Sequence, residues 1–267
     1  KTDDALARFG VADDRPWAGL VRVAASGMLG GAYVLTSVCR ALQRDVQAVV
    51  PTVRFPVRNG FRFHGDLWAD AVLRGLARFP AASAIEIVIN NARSPVSVEV
   101  LAELCTRQCL GKLVIKHDCE LNDLSALAGC ARLHTIELVG CIGLTDASAL
   151  ARCVSLQTLH LEYCHYMTDV SALAECASLH TLSLAGSARF SDVHALAECA
   201  GLHTLNLSDC KNLMDVSALA GCANLRSLQL SGCRVVTDVS ALARCASLHM
   251  LDLSYSGVTD VSALAGC

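Results

Sequence analysis

The sequence has few of the residues that nucleic-acid-binding and membrane proteins need. Aromatic residues make up only 4% of its 267 residues, and only four residues are lysine. With so few lysines and a formal net charge of −3, the chain has no basic stripe for binding a nucleic acid. It also has no run of about 18 apolar residues, so we predict no transmembrane helix and no membrane partner.

Motifs of common catalytic sites are missing as well. The phosphate-binding loop (G-x-x-x-x-G-K), the nucleophile elbow (G-x-S-x-G) and the zinc-protease motif (H-E-x-x-H) do not occur. Ser, His and Asp are plentiful, but they recur by repetition and do not point to one convergent site. We therefore expect no catalysis, no cofactor and no metal.

Cysteine is abundant, with fifteen residues. A secreted disulfide framework is usually short and has an even number of cysteines, whereas this chain is long and its cysteines recur at a fixed period. We therefore predict buried structural thiols and an intracellular, reducing compartment, either cytoplasm or nucleus, with cytoskeletal association as an option. A metal site at Cys105 and Cys109, which lie four residues apart on a predicted helix, is the alternative for those two.

Most of the cysteines mark a repeat. Seven of them are 23 residues apart, with a last interval of 22: Cys130, Cys153, Cys176, Cys199, Cys222, Cys245 and Cys267. After each of the first six comes the phrase L-x-x-L-x-L-x-x-C or a close variant, as in Leu156 to Cys164. Internal repetition at this period is typical of a solenoid.

Each repeat contains its own local structure. The L-x-L core alternates inward and outward, as a short strand does. The T-D-V-S-A-L-A phrase that follows, as in Thr237 to Ala243, predicts a short helical or 3-10 segment with the Asp as its N-cap. No single repeat can bury its own apolar face, so we expect neighbouring repeats to stack.

The repeat phrase resembles the leucine-rich repeat in its cysteine-containing subfamily, and the T-D-V-S-A-L-A-x-C phrase is similar to leucine-rich-repeat proteins of trypanosomatid protozoa. The resemblance implies an α/β solenoid, a horseshoe with a parallel concave sheet and short helical or 3-10 segments on its convex side. It also implies a non-catalytic protein–protein interaction module or scaffold that binds a protein partner through the concave surface.

The predicted organisation has three parts. Residues 1–49 form an N-terminal helical cap, with Val21 to Val38 as a buried helical segment; residues 50–109 form irregular long repeats; residues 110–267 form regular repeats. We count about nine strands, and we read Leu67–Phe79 and Ser97–Arg107 as helices. We expect further chain or a partner to cover the end at Cys267.

The N-terminal part suggests an alternative function. Its L-x-S-V-C-R-A-L segment, Leu35 to Leu42, resembles the C-terminal half of an F-box, although the usual L-P-x-E opening is missing. The resemblance implies an adaptor contact through residues 20–46 and a role as substrate receptor of a ubiquitin ligase.

Candidate binding residues lie in and after the strands. The concave face is mostly small and polar, and one repeat departs from this with five larger side chains: His160, Glu162, Tyr163, His165 and Tyr166. Tyrosine is a favoured interface anchor. We extend this surface with six further residues: Arg189, Asp209, Lys211, Arg226, Asp252 and Tyr255. A solvated face with chance aromatics is the alternative, and a metal held by His160, Glu162 and His165 is another.

Three further columns have structural interpretations. Histidines at the sheet rim (His134, His180, His203 and His249) should be mostly neutral at pH 7, because stacked cations repel. Seven aspartates should cap the helical segments rather than bind calcium: Asp123, Asp146, Asp169, Asp192, Asp215, Asp238 and Asp260. Four apolar turn residues should be core: Met167, Phe190, Leu213 and Val236.

Overall fold

The structure, a computed structural model, describes residues 21–22, 52–57, 84–90, 98–106, 110–117 and 121–265. Ten strands lie in this part of the chain: β1 (Val21–Arg22), β2 (Thr52–Val57), β3 (Ala84–Asn90), β4 (Leu110–Lys116), β5 (Thr135–Val139), β6 (Thr158–Glu162), β7 (Thr181–Ser183), β8 (Thr204–Asn206), β9 (Ser227–Gln229) and β10 (Met250–Asp252).

All ten strands pair in parallel, in chain order, in a single sheet. The register follows the sequence repeat, because Leu159 pairs with Leu182, Leu182 with Leu205 and Leu205 with Leu228. The repeats therefore stack one upon another, which confirms the predicted solenoid with its parallel sheet.

The leucine columns make the core of this stack. In the repeats of β6 to β9 both inward leucines are fully buried, as in Leu159 and Leu161, and the residue between them is partly exposed except for the buried Ser183. In the last repeat Leu251 and Leu253 are only partly buried. The apolar turn column is also fully buried, with Met167, Phe190 and Leu213 at 0% exposure, so the prediction that these residues are core is confirmed. Each leucine covers its equivalent in the next repeat, and the core is one continuous spine along the solenoid.

Short 3-10 helices close the repeats on the side away from the sheet: η1 (Ser125–Leu127), η2 (Ser148–Arg152), η3 (Ser171–Glu175), η4 (His194–Glu198), η5 (Ser217–Gly221), η6 (Ser240–Arg244) and η7 (Ser262–Leu264). All seven column aspartates accept a hydrogen bond from the backbone N–H two residues on, as Asp215 does from Ser217 at 2.7 Å. As predicted, each aspartate accepts a hydrogen bond from the start of the 3-10 helix that follows it. The prediction that the aspartate is itself the N-cap is wrong by one residue, because the N-cap of η5 is Val216 and Asp215 precedes it.

The N-terminal elements agree only in part with the prediction. Helix α1 (Val98–Thr106) confirms the helix expected over Ser97–Arg107. The interpretation of Val21 to Val38 as helical is wrong at its first two residues, because β1 pairs in parallel with Val53 and Arg54 and adds a tenth strand. The rest of residues 1–49, the F-box-like segment and the helix predicted over Leu67–Phe79 lie outside the described residues.

No helix in the described ranges is long and apolar enough to cross a membrane.

Two of the cysteines depart from the prediction of buried thiols. Cys105 of α1 and Cys130 form a disulfide, with their Cα atoms 4.8 Å apart. The stacked cysteines after Cys130 point their side chains the same way and cannot pair like this, whereas Cys105 comes to Cys130 from a different element. Cys109 and Cys267 lie outside the described residues.

The other nine described cysteines are buried thiols, as predicted. All nine donate to a carbonyl oxygen 26 residues earlier, in the preceding repeat, as Cys233 does to Leu207 at 3.0 Å. The thiols of the four cysteines that end the strand phrase (Cys141, Cys164, Cys210 and Cys233) thus bond mainly between repeats. Burial raises the pKa of Cys176, Cys210 and Cys222 to about 12, so these thiols hold a proton at neutral pH.

Candidate functional site

The carboxyl ends of the strands carry a column of residues with left-handed backbone. Its seven members alternate between a residue with a side chain and a glycine: His117, Gly140, Tyr163, Gly186, Asp209, Gly232 and Tyr255. The non-glycine members have φ between 55° and 57°. A left-handed non-glycine residue is uncommon and costs energy, and such strain tends to collect at functional sites.

The alternation has a steric cause. The side chain of each of the first three non-glycine members lies over the glycine in the next repeat. A Cβ on Gly186 would lie 2.7 Å from Cε1 of Tyr163, and one on Gly140 would lie 2.8 Å from Nδ1 of His117. Real Cβ atoms do not approach so closely, so a bulky residue in one repeat requires glycine in the next.

Tyr163 contacts two neighbouring residues, and these two residues are themselves joined by a hydrogen bond. Its ring lies against Gly186 of the next repeat, and its edge meets the His165 ring with centroids 6.4 Å apart and planes at 79°. The Nδ1–H of His165 donates to the carbonyl oxygen of Gly186 at 2.8 Å. The ring is nevertheless 49% exposed, so a fixed aromatic surface faces solvent.

Tyr166 makes a second fixed contact with the next repeat. The guanidinium of Arg189 lies over its ring, 4.4 Å from the centroid, in a cation–π contact. Tyr166 is 46% exposed and Arg189 is exposed. The sequence prediction therefore brought together residues that do contact each other in space.

Glu162 and His160 lie on the concave face beside this cluster. Ser183 of β7 donates its hydroxyl hydrogen to Oε1 of Glu162 at 2.8 Å, and Ser183 itself is buried. No group of three or more His, Cys, Asp or Glu in the described chain could hold a metal ion.

The remaining predicted residues are more scattered. Asp209 and Tyr255 share the left-handed column with Tyr163, and Tyr255 is 83% exposed. Lys211 is exposed in the turn after Asp209, and Asp252 accepts from the N–H of Ser254 at 2.9 Å. Arg226 comes directly before β9, so it lies where that strand begins, whereas the tyrosine cluster follows the end of β6.

Two features of this surface were missed from the sequence. Gly186 and Ser183 position the cluster, yet neither was a candidate. The rim histidines were considered, and His180 and His203 do stack, with centroids 5.1 Å apart. The Nδ1 atom of His203 is buried without a hydrogen-bond partner, which the sequence did not indicate.

Comparisons with known proteins decide the fold. A profile described as "Leucine Rich repeat" matches residues 221–243. The chain is similar to the crystal structure of internalin C2 from Listeria monocytogenes str. 4b F2365 (TM-score 0.58, 27% identity, 71% of this chain and 78% of that chain covered). The fold is a leucine-rich-repeat solenoid.

Two further structures show the same solenoid architecture. One is an internalin, InlF, of the same Listeria strain (TM-score 0.57, 18% identity, 87% of this chain and 72% of that chain). The other is from the Toll–Spatzle complex of Drosophila (TM-score 0.52, 14% identity, 82% of this chain and 34% of that chain). A comparison with curated protein sequences found no match. Leucine-rich-repeat solenoids generally serve as non-catalytic protein-interaction modules.

The convex side of the solenoid is lined with charge. The column aspartates accept hydrogen bonds from the residue two positions on, and these bonds hold the pKa of Asp215 and Asp238 below its usual value. The residue two positions after each column aspartate is a serine, except after Asp192, where it is His194. The Nδ1 atom of His194 lies 2.5 Å from the carboxylate of Asp192. These carboxylates are therefore accounted for by the local structure of each repeat.

Proposed function

We propose that this solenoid is a non-catalytic interaction module that binds a protein partner at the side of its concave sheet where the carboxyl ends of the parallel strands lie. The anchor is the cluster of Tyr163, His165, Tyr166 and Arg189. The observation that carries the proposal is that both tyrosines are about half exposed and are fixed by contacts with the next repeat.

Fixed exposed aromatics favour binding for an energetic reason. A side chain that is already ordered loses less conformational entropy on association than one that must be ordered by the partner. Tyrosine also buries a large area and offers a hydroxyl, which is why it is common among the residues that dominate interfaces. Only 4% of the residues in this chain are aromatic, so two exposed tyrosines in one repeat distinguish that repeat as the candidate binding site.

The similar structures support binding in general. One of them is a complex, in which Toll is bound to Spatzle. For this chain we propose only that the partner is a protein and that it covers the tyrosine cluster. The wider surface would include the concave residues His160 and Glu162 and, further along the edge, Asp209 and Tyr255.

The test uses the full 267-residue chain and the double variant Tyr163→Ala/Tyr166→Ala. Partners are captured from the native source and identified by mass spectrometry, and the Kd of the purified partner is then measured. We expect the variant to weaken binding at least tenfold, since two anchor residues are lost, with little change in thermal unfolding. Met214→Ala is the control, because Met214 is 68% exposed and lies outside the cluster.

The outcomes separate the candidate surfaces. Equal affinity for the wild type and the tyrosine variant would place the interface elsewhere. Recovery of a Skp-like adaptor and a cullin would favour the ubiquitin-ligase alternative. For localisation, we propose a reducing compartment, because nine of the eleven described cysteines are thiols and only Cys105 and Cys130 are joined in a disulfide. If the protein is isolated from its native source without reductant and then unfolded, alkylation should label most of its cysteines.

A further inference from the structure

One pair of sulfur atoms differs from the rest of the cysteine columns. Among the described cysteines, Cys105 and Cys130 are the two that are joined in a disulfide. Cys130 is the first member of the 23-residue column, and its next member, Cys153, donates its thiol hydrogen to the carbonyl oxygen of Leu127 in η1. The position 26 residues before Cys130 lies within α1, which packs against η1. Cys130 is therefore bonded to a helix where later members of the column meet a 3-10 helix.

Helix α1 has few attachments to the solenoid. Leu101 and Cys105 are four residues apart and so share one face of the helix. Leu101 is 0% exposed and Cys105 is 6% exposed, and they are the buried ones among the side chains of α1 that the structure describes. A helix of nine residues is marginal in water on its own. The order of α1 therefore depends on the packing of Leu101 and on the covalent bond of Cys105.

Burial couples this bond to the position of the helix. Cys130 is only 1% exposed, so a reductant meets the two sulfur atoms only when α1 moves away from η1. The bond also closes a loop across a sequence separation of 25 residues. Once it is broken, each return of α1 to η1 has to repay the entropy of loop closure. Reduction therefore requires the open position of α1 and then favours it.

The reaction is an ordinary thiol–disulfide exchange with a dithiol. One thiolate of the dithiol attacks the sulfur of Cys105, the disulfide bond breaks, and Cys130 leaves as a thiolate that takes up a proton. The second thiol of the reductant then attacks the mixed disulfide and releases Cys105 as a thiol. The dithiol is oxidised to a disulfide and the protein gains two thiols. Oxidised glutathione drives the reverse reaction.

The neighbouring thiols do not compete in this exchange. Burial raises the pKa of Cys153, and it raises the pKa of Cys176 to about 12. These thiols are protonated at neutral pH, and the thiolate is the reactive form. Stacked members of the column also point the same way and have poor geometry for pairing with each other. In the described part of the chain, the exchange is therefore confined to Cys105 and Cys130.

We propose that the Cys105–Cys130 disulfide is a redox-controlled latch, which holds α1 against the first regular repeat and releases it when a dithiol reduces the bond. In the reducing compartment proposed above, disulfides are usually transient and often sense redox state. Release uncovers the apolar surface on which Leu101 packs. The latch adds regulation to the solenoid and does not depend on the tyrosine cluster.

The experiment compares hydrogen exchange of the full wild-type chain in oxidised glutathione and in dithiothreitol, with mass spectrometry of the intact chain to follow the bond. We expect amides of α1 to exchange about tenfold faster in the reduced chain, because α1 opens more often. Amides of β6 to β9 should change by less than about twofold. The bond should also be reduced about tenfold more slowly in the folded chain than in urea, since α1 must open first. Both arms use the wild type, so the result does not depend on a variant that folds poorly.

Variants assign the effect to this pair. Cys105→Ala/Cys130→Ala should show the fast exchange of α1 in both buffers, because it cannot form the bond. The matched control is Cys153→Ala, which removes the next thiol of the same column and leaves the disulfide intact. It should keep the full difference between oxidised and reduced α1.

Three results would overturn the latch. The first is that oxidised glutathione fails to form the bond between Cys105 and Cys130. The second is that α1 exchanges at the same rate in the oxidised and reduced chains. The third is that reduction speeds exchange in β6 to β9 as much as in α1, which would make the bond a general staple of the solenoid.

Discussion

Substitution of Gly186 by alanine should separate the stability of the solenoid from the arrangement of its binding surface. Gly186 has a φ of 70°, and a Cβ there would lie 2.7 Å from Cε1 of Tyr163. Gly129 has a φ of 84° and would place a Cβ with nothing within 4 Å. The variants Gly186→Ala and Gly129→Ala therefore share the cost of left-handed alanine, but only the first displaces the tyrosine.

The shared cost is about 1 kcal/mol, which is the usual penalty for an L-residue in this conformation. It corresponds to a fall in Tm of about 2–4 °C for a domain of this size. The displacement of Tyr163 adds little to this, because its half-exposed ring can turn towards solvent. The binding surface, in contrast, loses a ring that was fixed before the partner arrived, so affinity should fall severalfold in Gly186→Ala alone.

The assay combines thermal unfolding, near-ultraviolet circular dichroism and the Kd of the captured partner. Gly186→Ala should change the tyrosine signal and the Kd, whereas Gly129→Ala should change only the Tm. In a Tyr163→Ala background, Gly186→Ala should cause no further loss of affinity, since the ring it displaces is gone. Equal effects of the two glycine variants on binding would refute the steric coupling between neighbouring repeats.

Three further predictions concern the solenoid itself. Leu205→Ala, at a fully buried position, should cost about 3–5 kcal/mol in urea unfolding. At pH 8 a thiol reagent should react about a thousandfold more slowly with Cys176 and Cys222 in the folded protein than in the unfolded one, because burial raises their pKa from 9.0 to about 12. The pKa of Asp215 is lowered from 3.8 by the N–H of Ser217, so the stability that this carboxylate contributes is complete above its unfolded pKa and is lost as the pH falls through the folded one. The urea midpoint should accordingly be flat from pH 7 to about pH 5 and fall below pH 4, and Asp215→Asn should reduce that fall.

The regular part of the fold was predictable because the same constraint recurs in every repeat. When the repeats stack, a leucine at an inward strand position, such as Leu182 or Leu205, can only pack against the equivalent leucines of the neighbouring repeats. The register between strands then follows from the 23-residue period. The turn core at Phe190 was predictable for the same reason. A single apolar run would have been ambiguous between strand and helix, whereas six copies of one phrase were not.

Features that occur once were not predictable in this way. The pairing of Cys105 with Cys130 joins a helix to a repeat, and no period relates the two residues. The strand at Val21 and Arg22 is only two residues long and depends on its neighbour β2. The predicted N-cap position of the column aspartates was wrong by one residue. A carboxylate that accepts a hydrogen bond from the backbone N–H two residues later, as Asp215 does from Ser217, has the same sequence pattern as an N-cap.

The alternation in the left-handed column limits where this solenoid can place side chains at the edge of its sheet. Because the side chain of Tyr163 occupies the space above Gly186, no bulky residue fits at Gly186, and Asp209 excludes one at Gly232 in the same way. Side chains at this edge therefore stand in every second repeat, roughly 10 Å apart at the usual strand spacing. A partner that lies along the solenoid axis would therefore meet a side chain of this column in every second repeat only.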